Sequence, residues 1–335
     1  ILDLLEIIGV GQRMRSWIAS FLNGCKNFVQ IGDGKSEEWV VESGSGQGRR
    51  LSPDLYNIAS LSQAILFVAL SFFAGYADDG IDIVFGSSDA ECDNKLQALA
   101  HERKEWYRKA GLPLNISKTE ILGFGFSPSP INIDNIIIRP KTEITFLGIT
   151  IQNDLKWTSQ LAVLNNKIRS AAGRIRHDGR HLNTSDKRML YMGWIQSLLF
   201  FNSPVVLSTS SKSDIAELQT SCNAGIRAVI GLPKYGYADI TTIRAKLNIP
   251  SVESIVEYSL QVAAWKKFAN SSVFEYFGPS TRSRSNGNFP HPDQKGQRAM
   301  ITDTILKLAW NRIPLPIKLE TKLKTAKREI KKFLF

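Results

Sequence analysis

Two adjacent carboxylates, Asp78 and Asp79, stand at the end of an apolar run that covers residues 64–76. Charges flanked by buried strand cost several kcal/mol unless a cation compensates them, and a divalent ion is the usual compensator. The same residues also fit a plain hairpin. Asp79-Gly80 is a favoured two-residue turn between strands expected over 65–77 and 81–85, and it would hold both aspartates in water with no chemistry. Taken alone, the stretch favours the hairpin; the signals on either side shift the balance towards a metal site.

Upstream, the run Gly44-Ser45-Gly46-Gln47-Gly48 leads through Ser52-Pro53 into an apolar segment. Serine caps orphan helix amides and proline suits the first helical turn, so the glycines form the loop that delivers a helix, and glycine lets a backbone approach a ligand closely. Downstream, a helical pattern carrying Leu96, Leu99, Trp106 and Tyr107 precedes Gly111-Leu112-Pro113-Leu114-Asn115, Lys118-Thr119-Glu120 and a strand-like stretch over 121–126. After a Pro/Asn-rich hairpin, residues 143–151 read as one short buried strand with Gly148 inside it, the mark of a bulge or a close approach.

This ordered set resembles the palm of a reverse transcriptase of the non-LTR retrotransposon type. Gln47-Gly48 with Leu51-Ser52-Pro53, Tyr76-Ala77-Asp78-Asp79, Gly111-Leu112 through Lys118-Thr119-Glu120, and Phe146-Leu147-Gly148 match four of that family's blocks in the right order. Trp17 to Ile31, Asn223 to Pro233, Pro250 to Tyr258 and Trp310-Asn311 with Pro314 extend the resemblance towards both ends. The resemblance implies an α+β fold: a palm and fingers remnant with an antiparallel sheet over 1–152, a helical thumb-like region over 153–278, a flexible linker over 279–298 and a basic amphipathic helix region over 299–335. It implies nucleotide addition to a primer with Mg²⁺ as cofactor, held by Asp78 and Asp79, since hard Mg²⁺ takes carboxylate and phosphate oxygens. It places Gln47 and Gly48 at the incoming nucleotide and template, Lys118 as proton donor to pyrophosphate, and Phe146, Leu147 and Gly148 as the primer grip. Phe146 and Leu147 equally suit a core. The implied partners are an RNA template, a DNA primer and deoxynucleotide triphosphates.

The family's further aspartate lies on a strand before the segment that here begins at Ile1. Asp3 falls in what reads as the following helix, so it is not promoted to that role, and the start without methionine suggests a fragment. Gly46 in place of proline, Arg49 in place of a small residue and Ala59-Ser60-Leu61 in place of an Asn-Asp pair depart from the family pattern. The alternative to an enzyme is a catalytically inactive nucleic-acid-binding remnant; a third reading is a helical interaction module in the carboxy-terminal half.

The formal charge of +11 favours a polyanionic partner, and the 43% hydrophobic content of 335 residues excludes wholesale disorder. The odd, widely spaced Cys25, Cys92 and Cys222 suggest neither a disulfide framework nor a zinc site. Apolar runs near 64–75 and 195–201 fall short of the roughly 20 residues that span a bilayer, so no membrane partner is expected. No secretion signal is seen, which suits a nuclear or cytoplasmic location. Past Trp157, Leu161, Leu164, Ile168, Ala172 and Ile175 form a helical stripe, with Lys167 and Arg174 on one flank and Arg169 and Arg176 on the other. Leu319, Leu323, Ala326, Ile330 and Phe333 form another stripe among lysines, suited to packing with a charged outer face or to nucleic acid, a membrane surface or a partner groove.

Overall fold

Short strands joined by left-handed turn residues set the character of the amino-terminal half. The computed structural model describes residues 1–41, 48–66, 71–112, 114–269, 301–318 and 322–334, which fall into two compact units, Ile1–Lys156 and Trp157–Phe335. The first unit runs through α1 (Leu2–Ile7), α2 (Gln12–Leu22), β1 (Lys26–Asn27), β2 (Gln30–Ile31), β3 (Gly34–Lys35), β4 (Trp39–Val40) and α3 (Ser52–Leu66). It continues with β5 (Phe72–Tyr76), β6 (Asp79–Ile83), α4 (Asp89–Lys109), β7 (Ile121–Leu122), β8 (Ile131–Ile133), β9 (Ile136–Ile138), β10 (Pro140–Lys141), β11 (Glu143–Phe146) and β12 (Ile149–Gln152). Among the described residues these strands form separate two-stranded ladders rather than one sheet; β7 and β10 pair parallel and the other pairs are antiparallel.

Turn chemistry explains the hairpins. The turn between β8 and β9 is Asp134-Asn135, with φ of 52° and 63°, and that between β11 and β12 is Leu147-Gly148, with φ of 49° and 79°. Positive φ at both central residues matches the twist of the flanking strands. The stretch 143–151 is therefore two strands folded back on each other, and Gly148 serves the turn rather than a bulge. Likewise the expected strand over 65–77 is divided: α3 ends at Leu66 and β5 begins at Phe72. Helix α4 starts at Ser88, whose hydroxyl accepts the Glu91 amide at 3.3 Å, and its Leu96 and Ala100 cover a small core of Ile121, Ile131, Ile133 and Ile138.

The second unit is helical: α5 (Thr158–His177), α6 (Thr184–Tyr191), α7 (Ser197–Asn202), α8 (Lys212–Val229), α9 (Ile240–Lys246), α10 (Val252–Phe268), α11 (Ile301–Arg312), α12 (Leu315–Lys318) and α13 (Leu323–Leu334). The expected stripe on α5, Leu161 to Ile175, is buried throughout. Asn183, not Thr184, caps α6, its side chain accepting the Asp186 amide at 2.9 Å. From there the helix runs on to Leu207 through two π-helical turns, Met192–Gln196 and Ser203–Leu207. By length and composition this 184–207 helix is sufficient to cross a membrane, contrary to the expectation from the shorter apolar runs; its Tyr191, Ile195, Leu199 and Val206 are buried in the unit.

Helix α8 approaches that long helix so closely that a Cβ on Gly225 would lie 2.6 Å from Ile195 Cδ1 and 2.9 Å from Tyr191 Cε2. At the carboxy-terminal end, Trp265 donates its indole N–H to the Ile317 carbonyl at 3.1 Å, and Phe268 meets Trp310 edge to face. Helix α13 lays Ala326 and Ile330 into this cluster, with Leu323 and Leu334 at its margin, and turns its lysines outward. Phe333 departs from the expected stripe: it is 56% exposed, and Leu334 takes the inward place. Leu319 and the expected linker over 279–298 lie outside the described residues.

Substituting Gly225→Ala is expected to lower unfolding stability by about 1–3 kcal/mol through overpacking, read as a lower midpoint in urea. Burial pushes the Cys222 thiol up to about 12, against a smaller opposing effect of its hydrogen bond with Tyr191. Iodoacetamide at pH 8 should therefore modify the half-buried Cys25 in the native protein and reach Cys222 only after denaturation, as read by peptide mass spectrometry.

Candidate active site

The hairpin of β5 and β6 pairs Phe72 with Ile83, Phe73 with Asp82, Ala74 with Ile81, Gly75 with Gly80 and Tyr76 with Asp79. The turn is thus Ala77-Asp78, two residues before the Asp79-Gly80 turn that the sequence suggests. Ala77 takes a φ of 51°, a left-handed conformation that a residue bearing Cβ adopts at a cost of about 1–2 kcal/mol.

Alternation divides the hairpin into two faces. One carries Phe73, Asp82, Gly75 and Gly80. The Phe73 ring lies against both glycines; a Cβ at either position would come within 3.0 Å of it. Gly80 is there to seat an aromatic ring, not to make a turn. Over the outer side of Phe73, 4.5 Å from the ring centroid, lies the guanidinium of Arg103 from α4. Its Nε and Nη2 donate to the two oxygens of Asp82 at 2.9 and 2.6 Å, and Ser71 Oγ donates to the same carboxylate at 2.8 Å. The Arg103 side chain is 6% exposed and that of Asp82 is 22% exposed. A single guanidinium therefore grips both strands.

The other face carries Phe72, Ala74, Tyr76, Asp79, Ile81 and Ile83, and here Phe72 and Tyr76 are open to solvent. Asp78 and Asp79 are exposed at the tip and form no ion pair among the described residues. The burial cost inferred from the apolar run thus does not apply to them, because the turn lifts both carboxylates into water. Nor do the described residues gather three or more His, Cys, Asp or Glu side chains suited to one metal ion. Two unengaged carboxylates are still a workable donor set for Mg²⁺, which keeps several waters and commonly takes one or two carboxylates beside substrate phosphates.

The other sequence-predicted residues lie in the same unit. Gly48 has a φ of 80° and open space where a Cβ would stand, which leaves its backbone accessible; Gln47 lies outside the described residues. Lys118 ends a short 3₁₀ turn, Ile116–Lys118, with its side chain exposed, rather than lying at the end of a strand. Leu147 and Gly148 form the exposed tip of the β11–β12 hairpin and Phe146 is half-buried beneath it, so Leu147 is not a core residue. Asp3 lies in α1. Sequence reasoning missed Asp82, Phe73 and Arg103. Their signal was available: a carboxylate set in Ile81-Asp82-Ile83-Val84 calls for a buried cation, and Arg103 continues the inward spacing of Leu96 and Leu99.

Replacing Arg103 by Met leaves Asp82 partly buried without its cation. The expected cost is about 3 kcal/mol in urea unfolding, part of which the added change Asp82→Asn should restore.

Comparison with known proteins finds similarity in the unit that carries this hairpin. The model of the family described as reverse transcriptase (RNA-dependent DNA polymerase) matches residues 4–151. The probable RNA-directed DNA polymerase from transposon X-element of Drosophila melanogaster is 24% identical over 159 residues, covering 46% of this chain and 18% of that protein. The probable RNA-directed DNA polymerase from transposon BS of the same species is 23% identical over 251 residues, 70% of this chain and 27% of the relative. The Pol polyprotein from type-1 retrotransposable element R1 of Bradysia coprophila is 25% identical over 218 residues, covering 62% of this chain and 21% of that protein. The chain thus spans between 18% and 27% of the length of these relatives. The Asp78–Asp79 hairpin and the Leu147-Gly148 hairpin both fall inside the stretch over which the chain is similar to the reverse transcriptases.

Proposed function

We propose that the first unit is the nucleotidyl-transfer site of an RNA-directed DNA polymerase, with palm and fingers within 1–152 and a thumb within 153–278. The observation that carries this reading is the β5–β6 hairpin, which presents Asp78 and Asp79, without an ion pair among the described residues, at a tip whose neighbouring Asp82 is already committed to Arg103. The acids at the tip are left for a ligand, while the third acid is structural.

Polymerases of this family generally use divalent metal ions, and Asp78 and Asp79 are the residues that would hold Mg²⁺ here. When bound, the ion supplies charge stabilisation for the attacking and leaving oxygens. The protein's own groups position the reactants. The Leu147-Gly148 tip, over Phe146, orients the primer end, and the open backbone at Gly48 with Gln47 admits the nucleotide opposite the template. Lys118 donates a proton to the departing pyrophosphate. Substrates of this site are an RNA template, a DNA primer and deoxynucleotide triphosphates.

Extension of an oligo(dT) primer on poly(rA) with dTTP and Mg²⁺ tests the assignment. Asp78→Ala should lower incorporation by at least about a hundredfold while leaving retention of the primer–template intact. Incorporation that survives the change removes Asp78 from the metal site. Template binding by the unsubstituted protein with no incorporation would favour the catalytically inactive, nucleic-acid-binding reading.

A further inference from the structure

In the second unit, α5 and the long helix over 184–207 run antiparallel. Gln160 donates its amide to the Asn202 side chain at 2.8 Å near one end, and the Arg174 guanidinium rests 4.5 Å from the centre of the Trp194 ring near the other. A groove of about 490 Å³ opens between the two helices, with Lys167, Ser170 and Arg174 on one wall and Trp194 and Leu198 on the other. Both walls continue beyond it on helical spacing. Val163 precedes Lys167, Ser170 and Arg174 on the same face of α5, and Phe201 and Val205 follow Trp194 and Leu198 at i+7 and i+11. Phe201 is 56% exposed and Val205 is 50% exposed, while Tyr191, Ile195, Leu199 and Val206 of the same helix are packed inside the unit. The outer side of the helix therefore carries a second apolar line, about 16 Å long.

The charge beside this line is of one sign. Neither α5 nor the stretch 187–207 contains an aspartate or a glutamate. Arg169 reaches Glu217 and Ser221 on α8, and Arg176 donates to the Leu232 carbonyl at 2.6 Å, so both hold the unit together. Lys167 and Arg174 meet no carboxylate among the described residues. They stand two helical turns apart, about 10 Å along the axis of α5.

Shape and charge together select the occupant. Two helices offer no sheet edge to an extended strand, and a single indole is no aromatic-lined channel for a polyproline segment. Two cations beside about 16 Å of apolar line are too few for a polymer that carries a charge on every unit. A concave seam between helices suits another helix, and at Gly193 nothing lies within 4 Å of where a Cβ would be, which lets a partner backbone come close. We propose that this groove docks an amphipathic helix of a partner protein, its apolar face along Trp194, Leu198, Phe201 and Val205 and two acidic side chains, seven residues apart, on Lys167 and Arg174. The surface is separate from Asp78 and Asp79 and does not depend on their role.

The test uses the full chain and a fluorescein-labelled peptide of about 18 residues, with leucine at i, i+4, i+7 and i+11 and glutamate along one edge of that face, followed by anisotropy in 150 mM NaCl. A Kd of about 10 μM is expected, with binding at least about tenfold weaker for a peptide of the same composition whose leucines are scattered around the helix. Equal binding of the two peptides, or none by either, would overturn the proposal. Phe201→Asp, a change at an exposed position, should weaken the first peptide by about tenfold or more; indifference to it would remove the apolar line from the site. Lys167→Glu with Arg174→Glu should weaken the glutamate peptide by about tenfold and strengthen a peptide with lysine in place of glutamate, a gain that a misfolded variant would not show. Lys212→Glu with Lys246→Glu makes the same change of charge at exposed positions elsewhere in the unit and should do neither; equal effects of the two double variants would leave only net charge. Unlabelled dT12 that displaces the peptide and whose own binding depends on Phe201 would assign the groove to a nucleic acid instead, and phosphatidylserine vesicles that do so would assign it to a membrane surface.

Discussion

The hairpin that carries the acidic tip depends on a single buried cation. Arg103 reaches from α4 to Asp82 on one strand and lies over Phe73 on the other, and Phe73 and Asp82 are partners in the ladder. An isolated two-stranded ribbon is marginal in water, and here the ladder joins no further strand among the described residues. What anchors it to α4 is therefore side-chain chemistry. Gly75 and Gly80 let Phe73 lie flat, Phe73 supports the guanidinium, and the guanidinium fixes Asp82. With that face committed, period-two alternation sends Tyr76 and Asp79 to the opposite, open face.

This arrangement explains why three acids so close in sequence differ in kind. Asp82 is neutralised by two charge-assisted bonds and a hydroxyl, so its oxygens are occupied. Asp78 and Asp79 lie beyond the last ladder pair or at it, where the strained Ala77 turn projects them into water. The hairpin thus has a partly buried base held by Arg103 and an acidic tip exposed to water.

Helical periodicity was the most legible signal in the sequence. The Leu161–Ile175 stripe and the entry into α3 near Ser52-Pro53 stand where the pattern places them, because one face of an amphipathic helix has few alternatives. Strand registers were harder to read. Asp79-Gly80 and the glycine of Phe146-Leu147-Gly148 both suggest local backbone roles, yet the first glycine serves a ring from the neighbouring strand and the second closes a hairpin around a left-handed leucine. In each case a tertiary partner decides between readings that are nearly equal locally, and such a partner cannot be found by inspecting adjacent residues. Phe333 shows the same limit on a helix: its spacing fits the stripe, but Leu334 fills the available space first. Of the acidic hairpin, the existence of a turn near the two aspartates was legible; the latch beneath it became evident only from the fold.

The two flanks of α5 show how basic residues in one helix separate by partner. Arg169 and Arg176 have acceptors on neighbouring elements of the unit, so their charge is used in holding α8 and the Leu232 turn. Lys167 and Arg174 face a wall with no carboxylate, beside an indole. Net charge alone assigns all four to a polyanion; geometry leaves two. A long-range field depends on the sum of charges, whereas the charge left open on a helix depends on which cations meet no carboxylate among the described residues. On that criterion the charge left open on α5 is narrower than its composition implies, and one of its two cations rests against Trp194.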